Sequence, residues 1–363
     1  MLPLEIIGGC FTYITSTDRV PTVTDAASSG SEGVFLAIFH VTTSSSRQFF
    51  VAHPDLQQTI TIDASTPIPT VLHYLSVHSQ VADLTEQLSR VSQGPPTAVA
   101  RTGLSDVFRM TLIDSTQVAV KCLRQHDPKH VKRTARELSI WSKLKHRNVL
   151  ELQGLAVFQG CLAMVSPWMA YGSVNSVLKK WPNTKRLPLC LQLAHAIEFL
   201  HAEEVIHGDI KGDNLVMDKD GTLKLTDFGL AIMDEAVLRF SHTDPGGGTN
   251  RWMAPELYGE DPQRSREADV YAMGMILGCS RNTGNKEIIT GEVPFREIKA
   301  GHAVGWAVAR ERRIPEVPEL AADGASGQDT MVHSLLKWCW RYDPNQRPSA
   351  RMVVSLLESL IQG

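Results

Sequence analysis

The chain has 363 residues, of which 43% are hydrophobic and 21% are charged, so it can bury a sizeable core and general disorder is excluded. Its 36 basic and 39 acidic residues give a net charge of −3, which argues against a broad surface for nucleic acid. The six cysteines are scattered without a C-x-x-C pair, so we expect reduced thiols in an intracellular, cytoplasmic protein instead of disulfides or a zinc site. The apolar run at 34–41 is too short to span a membrane.

The N-terminal part of the chain carries no constellation of chemically active residues. Two β-like runs, Gly33–Thr42 and Thr59–Asp63, are its main features. Residues 70–93 then predict a helix whose apolar residues recur at spacings of three and four. This stripe suits a short coiled coil, packing on its own protein or an irregular lead-in, and the last two are favoured because three heptads are the lower limit for a coiled coil. Gly94 and the prolines after it mark a boundary, so residues 1–92 are predicted to be an extension of unknown role.

The next feature is a lysine at the end of a predicted strand. The β-branched run Val118–Lys121 predicts that strand, and Glu137 follows on a segment in which Leu138, Trp141 and Leu144 have helical spacing. A strand lysine and a helix glutamate can form an ion pair that holds the ammonium near nucleotide phosphates. Taken alone, however, such a pair is better explained as a surface salt bridge.

A later cluster of polar residues changes that interpretation. Asp209, Lys211 and Asn214 lie on one predicted loop, and a predicted β-hairpin brings Asp227 of an Asp-Phe-Gly motif beside them. Carboxylate and amide oxygens at one place suit Mg²⁺, and a lysine there offsets phosphate charge. One carboxylate remains to accept a hydroxyl proton. Each motif alone is weak, but their order after the strand lysine and the helix glutamate is a strong signal.

In this order the motifs resemble those of the eukaryotic protein kinase family. The resemblance covers roughly residues 97–360 and includes Gly248–Glu256, which matches the A-P-E segment of the family. The W-M-A-P-E and C-W-x-x-D-P-x-x-R-P patterns are most similar to the tyrosine-kinase-like branch. Lys211 and Thr249 resemble the serine/threonine pattern. The H-G-D-I-K-G-x-N form and the lead-in Asp83-Leu-Thr are similar to fungal members.

The resemblance implies a bilobal α+β fold. The small lobe, 97–169, would be a mostly antiparallel sheet with one main helix, and the larger lobe, 170–361, would be mainly helical. Arg347 should pair with Glu256. The implied activity is phosphoryl transfer to serine and threonine hydroxyls with ATP and Mg²⁺ as cofactors, and the implied partners are ATP and a protein substrate.

The same resemblance implies roles for single residues. Asp209 matches the catalytic base, and Lys211 matches the group that stabilises the transferring phosphoryl. Asn214 and Asp227 match the magnesium ligands. In the nucleotide-binding set, Lys121 would bind the phosphates and Glu137 would anchor it. The adenine ring would be covered by three apolar side chains, those of Val107, Ala119 and Val216, and would meet the backbone of the hinge residue Met169. The aromatic rings of Trp141, His207 and Phe228 would form an internal stack.

The chain departs from the family pattern in its glycine-rich loop. The pattern that ends at Val107 places Ala100, Thr102 and Ser105 where glycines are usual, and only Gly103 lies between them. Glycine matters there because the backbone must approach the phosphates closely. The small side chains could still fit, at some cost in nucleotide affinity.

A second departure is Gly208, which stands where many kinases carry an arginine that pairs with a phosphate on the activation segment. Phosphorylation of Ser241 or Thr243 therefore has no obvious electrostatic partner at this position. Control by autoinhibition or by a partner is expected instead.

A third departure is the polar segment Gly278–Lys286, which interrupts an apolar helix predicted from Asp269 to about Leu277. Burying its arginine and lysine without partners would be costly, so an exposed loop is expected. The loop is either tolerated in this lineage or the result of a wrongly assembled chain, for example at a splice junction.

Three functions are compatible with these residues. A serine/threonine kinase is favoured by the complete set of motifs. A small-molecule phosphotransferase also uses an H-G-D-x-x-x-x-N loop, but it generally lacks counterparts of Lys211, Gly248–Glu256 and Arg347. A pseudokinase that acts as a scaffold or binding module is favoured by the altered glycine-rich loop and the insert, whereas the retained Lys121 and Asp209 argue against it.

Overall fold

The structure is a computed structural model. The residues it describes are 6–7, 10–11, 37–42, 47–52, 60–62, 66–89, 97–101, 105–123, 137–181, 184–233, 251–259, 262–278, 294–295, 297–315 and 327–362. The chain divides into two compact units, Met1–Thr66 and Pro67–Gly363.

The first unit contains two antiparallel sheets. A short hairpin pairs β1 (Ile6–Ile7) with β2 (Cys10–Phe11). The other sheet has the order β3 (Ala37–Thr42), β4 (Arg47–Ala52) and β5 (Ile60–Ile62). The two β-like runs of the sequence contain β3 and β5, whereas β4 has no counterpart in the sequence prediction.

The second unit begins with two helices and a short strand. Helix α1 (Ile68–Ser79) ends where Gln80 adopts a φ of 51°, outside the right-handed helical region. Strand β6 (Ala82–Asp83) and the short helix α2 (Thr85–Ser89) follow. The prediction of a single helix over 70–93 is therefore wrong, because the chain leaves the helical conformation at Gln80 and pairs as a strand before it coils again.

The small lobe is built on one sheet. Its further strands are β7 (Ala98–Arg101), β8 (Ser105–Thr111), β9 (Gln117–Leu123), β10 (Gly154–Phe158) and β11 (Cys161–Pro167). The order is β6-β10-β11-β9-β8-β7, and all neighbours are antiparallel except β6, which runs parallel to β10. Helix α3, residues 137–141, carries Glu137. The predicted mostly antiparallel sheet with a helix bearing Glu137 is confirmed.

One face of this sheet lies on a hydrophobic core, because side chains alternate between the two faces along each strand. Val118, Val120 and Cys122 of β9 belong to this core cluster. Leu84 and Leu88 of the preceding segment belong to it as well. Leu84 and Leu88 of the predicted stripe therefore pack on their own protein, whereas Val77 of the same stripe is 41% exposed, so the prediction holds for only part of it.

Backbone hydrogen bonds join the same segment to the sheet. The N–H of Leu84 donates to the carbonyl oxygen of Leu155 at 2.7 Å, next to the parallel pairing of β6 with β10. Residues 67–89 are therefore part of the unit that contains the small lobe, although the sequence analysis assigns them to the extension 1–92.

The large lobe is mainly helical. Its helices are α4 (Val174–Lys180), α5 (Leu187–Ala202), α6 (Arg266–Leu277), α7 (Gly301–Ala309), α8 (Gly327–Cys339) and α9 (Ala350–Gln362). Its short strands are β12 (Gly172–Ser173), β13 (Val205–Ile206), β14 (Leu215–Met217), β15 (Leu223–Leu225) and β16 (Ile232–Met233). A β-sheet lobe and a helical lobe confirm the predicted α+β fold.

Helix α6 is the buried helix that the sequence predicts. Its residues from Ala268 to Leu277 are all buried, and Ser265 caps its start by accepting a hydrogen bond from the N–H of Ala268 at 3.1 Å. The helix ends at Leu277, as the apolar spacing predicts, and Gly278 follows as its C-cap. The remainder of the predicted insert, 279–286, lies outside the described residues.

Arg347 fixes the end of the large lobe. Its buried guanidinium donates to the two carboxylate oxygens of Glu256 at 2.7 and 2.8 Å. It also donates to the carbonyl oxygen of Glu267 at 3.0 Å and lies over the ring of Tyr271. The predicted pair of Arg347 and Glu256 is confirmed.

Candidate active site

Lys121 lies on the face of the small-lobe sheet opposite the core cluster. Its neighbours Val120 and Cys122 belong to that core, so alternation along β9 directs Lys121 to the other face. There its Nζ lies 3.3 Å from Oε1 of Glu137 and 2.8 Å from Oδ1 of Asp227. The structure thus brings together three predicted site residues, from a strand, a helix and a loop.

The two carboxylates determine the charge of Lys121. Burial alone would lower the pKa of its ammonium, but attraction to Glu137 and Asp227 raises that pKa above its ordinary value. Burial would conversely raise the pKa of Asp227, yet the ammonium of Lys121 outweighs this effect and lowers it to about 2. Lys121 and Asp227 are therefore both charged at neutral pH.

Asp269 holds the backbone of the loop that carries Asp209. The carboxylate of Asp269 is buried at the start of α6 and accepts hydrogen bonds from the N–H groups of His207 and Gly208 at 2.8 and 2.9 Å. The ring of His201 lies 3.1 Å from the same carboxylate. Hydrogen bonds to an ionised acceptor are stronger than neutral ones, so α6 gives this loop a firm support.

Asp209 is held by its neighbours on the loop. The Nζ of Lys211 donates to Oδ2 of Asp209 at 2.7 Å, and Nδ2 of Asn214 donates to the same oxygen at 3.2 Å. Among the described residues, the other carboxylate oxygen, Oδ1, is buried without a hydrogen-bond partner. A buried acceptor without a partner is costly, and this one is free to accept a hydrogen bond from a bound group.

A β-hairpin brings the second carboxylate to this loop. Strands β14 and β15 pair antiparallel, and the N–H of Thr226 donates to the carbonyl oxygen of Asn214 at 2.9 Å. Asp227 follows with a φ of 69°, a left-handed conformation that side chains seldom adopt and that is frequent at functional sites. The two predicted metal ligands, Asn214 and Asp227, are therefore next to each other through this backbone contact.

The oxygen atoms of these two residues fit a divalent cation. The amide nitrogen of Asn214 donates to Oδ2 and to the backbone carbonyl oxygen of Asp209, which leaves the amide oxygen as its ligand atom. One oxygen of Asp227 binds Lys121, and the other is left for a metal. An amide oxygen and a carboxylate oxygen suit Mg²⁺, which prefers hard oxygen ligands and keeps several waters.

Aromatic rings stack behind Asp227. Phe228 is fully buried, and its ring centroid lies 5.9 Å from that of Trp141 and 5.2 Å from that of His207. Nε2 of His207 also lies 3.2 Å from the carbonyl oxygen of Thr226. The three aromatic rings implied to stack are therefore in contact, but Phe228 meets His207 edge to face and Trp141 at a tilt.

Two of the residues assigned to adenine, Val107 and Ala119, lie on the same face of the small-lobe sheet as Lys121. Val107 is opposite Lys121 across β8 and β9, and Ala119 is opposite Ser166 across β9 and β11. Val107 and Ala119 are only partly buried, and so is Val216 on β14. Apolar side chains that remain partly exposed on a face opposite the core are available to cover a flat ring.

Met169 follows the last strand of the small lobe. It is buried, and its carbonyl oxygen accepts a hydrogen bond from the N–H of Gly172 at 3.1 Å. The N–H of the preceding Trp168 donates to the carbonyl oxygen of Gln117 at 3.0 Å. These bonds fix the backbone of the predicted hinge between the two lobes.

A comparison with protein families matches residues 102–356 to the protein kinase domain. The chain belongs to the protein kinase family. The match includes the segments of Lys121, Glu137, Asp209 and Asp227, and it confirms the family that the motif order predicts.

The relatives of this kinase support the tyrosine-kinase-like branch of serine/threonine type. Serine/threonine-protein kinase STY17 of Arabidopsis thaliana is 29% identical over 73% of this chain and 44% of its own length. Serine/threonine/tyrosine-protein kinase HT1 of Arabidopsis thaliana is 30% identical over 61% of this chain and 53% of its own length. Mitogen-activated protein kinase kinase kinase 12 of Rattus norvegicus is 28% identical over 66% of this chain. The chain thus spans about half the length of the first two relatives.

Two further findings bear on the sequence predictions. The relatives named above come from a plant and a rat, so they give no support to the similarity to fungal kinases. Across the described part of the kinase, none of the helices has the length and apolar character needed to cross a membrane.

The sequence analysis does not single out two arginines that hold loops near the site. Arg251 donates to three backbone carbonyl oxygens at 2.6 to 2.8 Å, those of Pro294, Phe295 and Ile298. Arg264 lies against Gly208 and donates to the carbonyl oxygen of Leu230 at 3.2 Å. Arg251 lies within the W-M-A-P-E context of the kinase, whereas no motif pointed to Arg264.

Some predicted features of the kinase lie outside the described residues. These are the tip of the glycine-rich loop at 102–104 with Gly103, and the activation-segment residues Ser241, Thr243 and Thr249.

Proposed function

We propose that the chain is an active protein serine/threonine kinase that transfers the γ-phosphoryl group of ATP to hydroxyl groups of protein substrates. Membership of the kinase family and the names of the similar proteins support this activity. Within it we propose a kinase domain at 97–361, with lobes at 97–169 and 170–361, on which residues 67–89 pack as part of the same unit. An intracellular, cytoplasmic location accords with the free thiols of Cys122, Cys161, Cys190 and Cys339.

The observation that carries the proposal is the arrangement of the two oxygens of Asp209. Lys211 and Asn214 bind Oδ2 and so fix the direction of the carboxylate. Oδ1 is buried and without a partner among the described residues, so it can accept the hydroxyl hydrogen of a substrate. A general base needs this combination of a fixed orientation and a free acceptor.

Lys211 has a second task in this proposal. Its ammonium lies 2.7 Å from Asp209, so it is beside the place where the substrate hydroxyl meets the phosphoryl group. Negative charge on the transferring phosphoryl oxygens is stabilised by a fixed cation at that place. A lysine two residues after the base also agrees with the serine/threonine pattern of the sequence.

ATP and Mg²⁺ are the proposed cofactors. Lys121, anchored by Glu137, would bind the α- and β-phosphates. Asn214 and Asp227 would hold Mg²⁺, which when bound supplies positive charge to the phosphate oxygens. The adenine ring would lie among apolar side chains and the hinge, namely Val107, Ala119, Val216 and Met169.

The test is transfer of radioactive phosphate from ATP to a general protein substrate, such as myelin basic protein, in the presence of MgCl₂. We expect phosphoserine and phosphothreonine in the acid hydrolysate and loss of the signal with EDTA. Asp209→Asn should lower the turnover by about 10²- to 10⁴-fold, the usual contribution of a positioned base. Asp213→Asn is the matched control, because Asp213 is an exposed residue of the same loop whose carboxylate accepts a hydrogen bond from Nδ2 of Asn175 at 3.3 Å. It should change turnover by no more than about twofold.

A wild-type turnover as low as that of Asp209→Asn would contradict the proposal. If such a protein still bound ATP with Mg²⁺, a pseudokinase that acts as a scaffold would explain the chain better. Phosphorylation of a small hydroxyl compound in place of protein would instead support a small-molecule phosphotransferase.

A further inference from the structure

Gly208 and Arg264 fit together beside the candidate active site. Gly208 has a φ of 73°, a left-handed conformation that a side chain would strain. A Cβ at this position would overlap Cδ of Arg264 and lie 2.8 Å from its Nε. The arginine therefore fills the space that a side chain at position 208 would need.

Arg264 also binds the segment that follows the proposed metal ligand. Its Nη1 donates to the carbonyl oxygen of Leu230 at 3.2 Å. Leu230 comes directly after the Asp227-Phe-Gly229 motif. A single side chain is thus in contact with the loop of Asp209 and with the segment of Asp227.

Helix α6 supports this arginine. Arg264 directly precedes Ser265, which caps the helix. Asp269 in the first turn of α6 accepts a hydrogen bond from the N–H of Gly208 at 2.9 Å. The start of α6 therefore holds the loop of Asp209 in two ways, by hydrogen bonds from Asp269 and by the packing of Arg264 on Gly208.

A pocket next to these contacts includes the proposed base. Asp209, Trp252, Leu257 and Arg264 are among its lining residues. Asp209 and Trp252 are only 9% and 7% exposed, and Oδ1 of the first and Nε1 of the second have no partner among the described residues. The guanidinium-bearing side chain of Arg264 and the carboxylate-bearing side chain of Asp209 thus line the same pocket.

We propose that Arg264 is a positioning residue for phosphoryl transfer, which packs on Gly208 and keeps the loop of Asp209 and the segment of Leu230 in their reactive arrangement. The inference rests on the proposed kinase activity. The contacts that carry it are the packing of Arg264 on Gly208 and its hydrogen bond to the carbonyl oxygen of Leu230.

The first test compares Arg264→Ala and Arg264→Lys with the wild type in the phosphate-transfer assay. We expect Arg264→Ala to lower kcat by about 100-fold, the effect of a small misplacement of reacting groups. The KM for ATP should stay within about twofold, because the nucleotide contacts are unchanged. Arg264→Lys, and ethylguanidinium added to Arg264→Ala, should each recover part of the activity. Arg351→Ala, at an exposed position on α9, is the control and should keep the wild-type kcat.

The second test is hydrogen exchange read by mass spectrometry, which needs no turnover. Amides at 207–209 and 229–231 should exchange at least about tenfold faster in Arg264→Ala than in the wild type, because their opening becomes easier. Amides of β9 should exchange at the wild-type rate. If the wild type itself transfers no phosphate, the proposed function fails, and the exchange data alone decide the role of Arg264.

In an active wild type, the inference requires both a lower kcat and faster exchange in Arg264→Ala. Unchanged exchange at 207–209 would overturn it, even with kcat lowered, because the arginine would then act directly on the substrate. Faster exchange with an unchanged kcat would also overturn it, since the arginine would be merely structural. An equal loss of kcat in Arg351→Ala would have the same consequence.

Discussion

The ion pair of Lys121 and Asp227 shows how one residue sets the protonation of another. Lys121 lowers the pKa of Asp227 from its ordinary 3.8 to about 2. A carboxyl group whose pKa is lower in the folded state contributes stability above its unfolded pKa and loses that contribution as the pH falls through the folded pKa. For Asp227 the contribution is complete above about pH 4 and disappears towards pH 2.

We expect Lys121→Met to lose less stability than the wild type between about pH 4 and pH 2, because without this cation the pKa of Asp227 is no longer held below its ordinary value. The measurement is the unfolding midpoint Tm by calorimetry between about pH 2 and pH 6. Lys224→Met is the matched control, because the Nζ of Lys224 donates to the carbonyl oxygen of Arg147 at 2.7 Å. Its acid profile should follow that of the wild type. Identical acid profiles for Lys121→Met and the wild type would contradict the prediction.

The predictability of single residues depends on what their partners are. Lys121, Asp209 and Asp227 occur in motifs with a fixed order, so the sequence points to them without any coordinates. Arg264 leaves no such trace, because the two contacts that carry its proposed role are with a glycine and with a backbone carbonyl oxygen. Neither partner has a side chain whose type could signal the contact.

Helix packing in the large lobe depends on a glycine in α6. A Cβ at Gly274 would lie 2.6 Å from Cβ of Cys339 and 2.9 Å from Nε1 of Trp340. Gly274→Ala should therefore lower the free energy of unfolding by about 1–3 kcal/mol, since the overlap outweighs the better helix propensity of alanine, which is worth about 1 kcal/mol. Urea denaturation measures this difference.

The control for this variant is a glycine with open space. No atom lies within 4 Å of a Cβ built on Gly301, at the start of α7. Gly301→Ala should leave stability unchanged or raise it by up to about 1 kcal/mol. Equal effects of Gly274→Ala and Gly301→Ala would show that close packing against α8 does not decide the outcome.

The short helix α2 should contribute to the stability of the small lobe. Leu88 is 3% exposed and belongs to the core cluster of the sheet, whereas Val77 on α1 is 41% exposed. Leu88→Ala should lower the free energy of unfolding by about 2–5 kcal/mol, as for other buried leucines. Val77→Ala, the control, should change it by no more than about 0.5 kcal/mol. A Leu88→Ala variant as stable as Val77→Ala would show that residues 67–89 are not an integral part of this unit.

Elements are predictable where spacing alone defines them. The apolar spacing of α6 gives the end of that helix at Leu277, and the β-branched run Val118–Lys121 lies within β9. The structure of residues 70–93 is harder to predict. Apolar residues at spacings of three and four continue past Gln80, although the helical backbone conformation ends there. Only the pairing of β6 with a distant strand determines the break there.

Over the whole molecule, Arg347 joins segments that are far apart in the chain. Its side chain is fully buried and forms two hydrogen bonds with Glu256. Arg347→Met should lower the free energy of unfolding by about 3–5 kcal/mol, because it leaves a partly buried carboxylate without its cation. Arg313→Met is the control, because Arg313 and Glu297 form an exposed pair at 2.7 Å. It should cost no more than about 1 kcal/mol in urea denaturation. Similar costs for the two variants would contradict this prediction.

The global fold follows from the ordered motifs, because each one belongs to a known place in the two lobes. The extent of the folded unit does not follow from them. Residues 67–89 carry no kinase motif, and their place depends on tertiary contacts such as the hydrogen bond from Leu84 to Leu155. The sequence therefore locates the catalytic machinery well and the N-terminal limit of the folded unit poorly.

The pairing of β6 with β10 also has a consequence for solubility. The outer edge of a sheet presents backbone groups that can recruit a strand from another molecule, and proteins protect such edges with short strands or covering segments. Here the N–H of Val157 donates to Oγ1 of Thr85 at 3.0 Å, so α2 and β6 together occupy the hydrogen-bonding groups of β10. A kinase cut at residue 97 would present this edge to its neighbours in solution. We therefore expect a chain that begins at residue 97 to self-associate more readily than one that keeps residues 67–89.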